Sequence, residues 1–146
     1  ATEGRQGRTF IARFKPGNEL VSSVHQFLVE KGIRAGYIPT LLGGFKNLKL
    51  ISMTFGEGEN EVKDVELEYR QPLEYFGTGT IAYLDDQPSI HVHLTAAQSG
   101  NKSLTGHLVS GEIAILTEIV IVEITDVAVV RKEDPDIPGY KLLHFE

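Results

Sequence analysis

The chain has no cysteine among its 146 residues. Disulfide frameworks, thiolate metal sites and a cysteine nucleophile are therefore excluded. Any transition-metal site has to be built from histidine, carboxylate and water. Long apolar runs are also missing: none approaches the roughly 18 residues that a membrane helix needs. Positive charge is scarce, with 14 Lys and Arg against 20 Asp and Glu and a net charge of −6. A free-standing nucleic-acid binder carries a basic footprint, and this sequence shows none. Arg5 and Arg8, in Gly4-Arg5-Gln6-Gly7-Arg8, read either as a phosphate contact or as a solvated tail. So short a basic piece supplies little counterion release, which favours the tail. Ala1 to Arg8 does not resemble a signal peptide, so a cytoplasmic location is the expectation. There is no internal repeat, low-complexity tract or linker.

Hydrophobic residues make up 41% of the chain, enough for a packed core. The length suits one domain. We read it as residues 1–146, with 1–8 as a flexible tail and 132–146 as a C-terminal closing segment. Thr9 to Lys15 alternates, with Phe10, Ala12 and Phe14 on one face of a strand. Pro16-Gly17-Asn18 turns the chain, and Asn18 is the expected N-cap of a helix. Leu20, Val24, Phe27 and Leu28 form its apolar stripe, and Gly32 is placed to end it. His25 falls near its polar side.

The remainder reads as strands. Ile33 to Ile38 is expected to break at Pro39, and Phe45 to Phe55 forms another strand. Gly56 to Asn60 is an acidic loop. Val62 to Arg70 carries Asp64, Glu66 and Glu68 on one face, a row that reads either as an attractor for a cation or, more commonly, as a solvated strand face. In Leu73 to Leu84, Gly77 and Gly79 mark a bulge or a close backbone approach. Asp85 to Pro88 is a turn. A break is expected at Ser110-Gly111-Glu112, followed by the apolar run Ile113 to Arg131, too long for one ordinary strand. Glu118 and Glu123 sit within it as candidate metal ligands, second-shell partners or interface acids, or simply as solvent-facing strand residues. His144 is placed at the periphery. The fold class is thus α+β: a mostly antiparallel twisted sheet with one main amphipathic helix near the N-terminus.

The most informative stretch runs from Ser89 to Leu108. His91 and His93 are two apart in a β-branched run, so a strand points both imidazoles the same way. Gln98 to Lys102 has turn chemistry. If the hairpin turns about Gly100, His93 stands opposite His107, with Cβ atoms about 4.5–5.5 Å apart. Three imidazoles then share one sheet face, which matches a three-ligand zinc site with an open position. A register slip of one residue would send His107 to the other face and leave ordinary polar residues on a half-exposed sheet.

Leu73-Glu74-Tyr75-Phe76-Gly77-Thr78-Gly79-Thr80-Ile81-Ala82, His91-x-His93 and Gly106-His107-Leu108, followed by a glycine and a β-branched strand, together resemble the plants-and-prokaryotes conserved (PPC) domain in its prokaryotic single-domain form. The likeness covers nearly the whole chain, from Thr9 to about Arg131. It implies a homotrimer. It also implies metal binding, with zinc or another divalent transition metal held by His91, His93 and His107. The plant members carry AT-hooks and are called DNA-binding; no Arg-Gly-Arg-Pro hook is present here. The functional expectation is a metal-binding homotrimeric domain of unassigned biochemistry. Its alternatives are a DNA-binding, transcription-associated regulator and a metal-dependent, hydrolase-like enzyme using the open coordination position. For the enzyme, Glu112 and Glu118 are the nearest acids in sequence for an acid/base or second-shell role, and the sequence names no substrate.

Overall fold

The computed structural model describes residues 1–56, 62–98 and 102–145. Most of the expected acidic loop, and the turn about Gly100, lie outside the described residues. The elements in chain order are β1 (Arg5–Phe14), α1 (Leu20–Lys31), β2 (Gly36–Phe55), β3 (Val62–Tyr69), β4 (Leu73–Leu84), β5 (Gln87–Gln98), β6 (Lys102–Thr125), β7 (Val129–Asp134) and β8 (Ile137–Phe145).

The helix forms where its apolar spacing places it. Leu20, Val24 and Leu28 are buried in the core, and Phe27 packs edge-on to Phe10 and Phe14 of β1, with centroids 5.4 and 6.4 Å away. Its cap differs from expectation: Glu19, not Asn18, takes the N-cap position. The longer carboxylate reaches three backbone donors. It accepts from Val21 N at 3.0 Å, from Ser22 N at 2.7 Å and from Gly111 N of β6 at 3.1 Å. Asn18 contributes its carbonyl instead, accepting from Ile113 N at 2.9 Å. The C-terminal cap is Gly32, left-handed at φ 65 as its position requires.

Two expected breaks do not end their strands. Pro39 lies inside the 20-residue β2, and Gly111 lies inside the 24-residue β6. At both places the ladder shifts register: between Ile38 and Leu41 against β4, and around Phe45 to Asn47 against β6. Proline has no N–H to give a ladder, and an irregularity is where a sheet tolerates it. The segment 1–8 also differs from a free tail. Arg5 pairs with Thr125 and Gln6 with Ile124, so β1 begins at Arg5. Arg8 forks onto Glu123 of β6, Nε to Oε2 at 2.7 Å and Nη2 to Oε1 at 2.8 Å, and also donates to the Lys31 carbonyl at 2.8 Å. A cation at the last turn of a helix complements its macrodipole.

The sheet closes on itself. β2 pairs with β6, β6 with β5, β5 with β4, and β4 again with β2. β1 adds to β6 and β3 to β2. All of these pairings are antiparallel. The exception is β7, which meets β4 in parallel at Tyr83 and Val130 and then forms a hairpin with β8. The closing segment therefore starts at Val129, before residue 132. Asp85 and Asp86 both have positive φ, 50 and 59, and join β4 to β5 in the two-residue turn whose twist suits a hairpin.

Inside the sheet, Phe45 stacks on Tyr75 with centroids 4.0 Å apart, and the Tyr75 hydroxyl pairs with the Thr117 hydroxyl. Thr117 is fully buried. Burial, opposed only in part by this hydrogen bond, pushes Tyr75 up to about 12.

Two predictions follow from these contacts. Tyr75→Phe strands the Thr117 hydroxyl in an apolar site and is expected to cost about 1–3 kcal/mol. Adding Thr117→Val should cost far less than the sum, because both partners are then apolar; urea unfolding of the four-member cycle checks this. The second concerns Glu19. Burial opposes its ionisation, but the hydrogen bonds from Ser22, Val21 and Gly111 outweigh it and hold the carboxyl below its ordinary 4.5. A depressed folded-state pKa gives stability that is full above 4.5 and fades as pH falls through the folded value. Wild type should exceed Glu19→Gln in stability at pH 7, and the gap should narrow steadily below pH 4.5 in denaturant titrations.

Candidate metal centre

Strand alternation sets the site. Val92, Leu94 and Ala96 of β5 are buried in the core, so His91 and His93 face the other way. β5 and β6 pair from His93 opposite His107 to Gln98 opposite Lys102. This is the register that a turn about Gly100 demands, and it brings His107 to the face of the other two. The ring centroids lie 5.1, 4.8 and 5.8 Å apart. One ligand nitrogen from each ring falls within 4.8 Å of the others.

Gly77 and Gly79 let β4 approach the histidine strand. A Cβ at Gly77 would come within 2.6 Å of the His93 carbonyl oxygen, and one at Gly79 within 2.6 Å of the His91 carbonyl oxygen. The close-approach reading of these glycines holds.

The donor set suits a metal on two further counts. His91 Nε2 and His93 Nε2 face each other at 3.1 Å. Without an ion, one of them must be the protonated tautomer; a cation between them would use both lone pairs. Tetrahedral zinc with Zn–N of about 2.0–2.1 Å places ligand nitrogens about 3.3–3.4 Å apart, close to the 3.1 Å of this pair. Two of the rings, His91 and His107, are also biased toward the neutral form. Burial, then the Arg131 charge, then His107 and His93 push His91 down to about 4. Burial, His93 and Arg131 lower His107, while Asp64 opposes them. Neutral imidazole is the form that binds metal.

The histidines open onto a cleft of about 700 Å³. Its walls include Met53 of β2, Asp64 of β3, Arg131 of β7, and Tyr140 and Lys141 of β8. Tyr140 donates to Asp64 Oδ1 at 3.3 Å. Arg131 Nη2 donates to Thr80 Oγ1 at 2.8 Å, and Thr80 is the cross-strand partner of His91.

The other residues singled out from sequence lie elsewhere. Glu112 accepts from Lys46 at 3.1 Å and from Asn47 Nδ2 at 3.0 Å, clamping β6 to β2. It sits five residues along β6 from His107, about 16 Å at strand rise. Glu118 is exposed, opposite Arg13 and Leu42. Glu123 is taken by Arg8. His25 donates from Nδ1 to the Pro88 carbonyl at 2.8 Å, tying the helix to β5, and His144 lies 3.7 Å from Asp134 in the last hairpin. The cleft residues that the sequence reading did not connect with the histidines are Asp64, Arg131 and Tyr140. Asp64 read as one of three alternating acids, and nothing local to Arg131 or Tyr140 signals that the last hairpin folds over the histidines.

No curated protein matches the chain. Among solved structures, a metal-containing protein from Archaeoglobus fulgidus superposes with a TM-score of 0.85 at 26% identity, over 99% of this chain and 98% of that one. A plant- and prokaryote-conserved protein from Pyrococcus horikoshii gives 0.82 at 27% identity, over 99% and 96%. A protein from Bacteroides thetaiotaomicron, named only as a candidate for DNA binding, gives 0.76 at 24% identity, over 98% and 96%. The profile of the Plants and Prokaryotes Conserved (PCC) domain matches residues 1–125, and the chain belongs to that family.

Proposed function

We propose that this is a metal-binding PPC-family protein in which His91, His93 and His107 hold one divalent transition metal, zinc by preference. The observation that carries the reading is the convergence of three ligand nitrogens within 4.8 Å on one sheet face. An all-imidazole set suits zinc and its neighbours in the first transition row, and three protein ligands leave a position for water or substrate. The Archaeoglobus fulgidus neighbour, described as metal-containing, supports it. When bound, the metal would supply Lewis acidity or a metal-bound hydroxide. The open position faces a cleft, which favours small-molecule chemistry over a purely structural role. Glu112 and Glu118 stand too far away to act as its base; Asp64 is the carboxylate within the cleft.

A DNA-associated role has the Bacteroides thetaiotaomicron neighbour behind it. The charge pattern argues against it. Arg8 is spent on Glu123, and Arg5 lies 3.6 Å from Asp126. No helix among the described residues is long and apolar enough to cross a membrane. The homotrimer expected of the family finds support in large apolar side chains left in water: Ile11 is 85% exposed, Ile115 73% and Phe76 65%, and Phe76 pairs with the exposed Leu42. Apolar surface of this kind marks association sites.

Elemental analysis of untagged protein is expected to find about one metal per chain, consistent with a single three-histidine site. His93→Ala should reduce it to background with the fold intact by circular dichroism. Folded wild type that takes up no added zinc would end the reading. Light scattering is expected to give three times the 16.1 kDa chain mass; a monomer would remove the trimer alone.

A further inference from the structure

The Arg131 guanidinium is half-buried, and only part of it is used. Nη2 is bound to Thr80, while Nε is fully buried with no hydrogen-bond partner among the described residues. A buried donor left unpaired is costly, and in native structures it calls for an explanation. The Nε edge of a guanidinium is one side of a planar fork that matches an oxyanion. Thr80 lies directly opposite His91 in the β4–β5 ladder, so Arg131 is tethered beside the histidines.

Charge balance points the same way. A dication on three neutral imidazoles, together with Arg131, faces one carboxylate of the cleft, Asp64. Asp64 already accepts from Tyr140, and Lys141 is paired with Asp85 at 3.4 Å. The positive charge is uncompensated in a partly desolvated site, which an anion corrects. A cleft of about 700 Å³ has the size of a small-molecule site.

We infer that the cleft binds a small molecule through an oxyanion, a carboxylate or a phosphate group, held between the open position of the metal and the guanidinium of Arg131, which lines the cleft and whose Nε has no partner of its own. The inference rests on the metal reading above. Its assignment is to Arg131 as the residue that selects an anionic ligand.

The test is calorimetric and spectroscopic titration of the cobalt-loaded protein with oxalate and, separately, with inorganic phosphate. The expected result is saturable binding of at least one anion with a change in the cobalt spectrum. Arg131→Gln should weaken binding by at least about tenfold while cobalt uptake is kept. Tighter oxalate binding assigns a carboxylate ligand, and tighter phosphate binding a phosphate. Arg131→Lys keeps the charge but loses the fork, and should also weaken binding; it serves if the glutamine variant does not fold. Cobalt uptake with no binding of either anion, or equal binding by the Arg131 variants, overturns the inference and leaves the metal reading standing. Failure to take up cobalt overturns both.

Discussion

Six backbone pairs, from His93 opposite His107 to Gln98 opposite Lys102, hold β5 and β6 in one register. The register is pinned from the core side. Val92, Leu94 and Ala96 must be buried, and a shift of one residue would expose all three while driving imidazoles into apolar packing. The histidine face therefore needs no specification of its own. It follows from the burial of its neighbours, and the core fixes the geometry of a site that lies outside it.

The electrostatics of the cleft follow from the same arrangement. Strand alternation gathers imidazoles, Thr78 and Thr80 on one surface. The last hairpin then lays Arg131 over them and β3 contributes Asp64. Burial and a nearby cation both disfavour imidazolium. The surface is thus arranged to present lone pairs and a cationic edge together, a combination with little purpose in a bare sheet. Glu112 and Glu123 show the contrasting case. Each is engaged by side chains of the fold, Glu112 by Lys46 and Asn47 and Glu123 by Arg8.

What the sequence discloses and what it withholds divide along the range of the interactions. Period-two alternation, the apolar stripe of the helix, Gly32 and the histidine spacing are local, and each reads correctly. Pro39 and Gly111 mislead because their local meaning, a break, is absorbed by irregular pairing within strands held on both sides by neighbours. Asn18 misleads because Glu19 has a donor waiting on β6 at Gly111, a residue remote in sequence. Arg131 and Tyr140 stay hidden for the same reason: only the tertiary path of the final hairpin brings them to the histidines. Glu118 and Glu112 are near His107 in sequence but spread along an extended strand, where proximity in number means distance in space.

The pairing of β1 with β6 has a kinetic consequence. Thr125 Oγ1 bonds the Arg5 carbonyl across 120 residues, and every β1 partner lies on the far half of β6. Non-local pairing incurs loop-closure entropy before it gains contact energy. During synthesis the first strand emerges long before any of its partners, and β2 likewise waits for β6. The hairpins β4–β5, β5–β6 and β7–β8 can form as the chain appears, whereas closure of the ring is a late event. The fold is thus expected to assemble slowly for its size, with β1 an unpaired, partly apolar strand for most of that time.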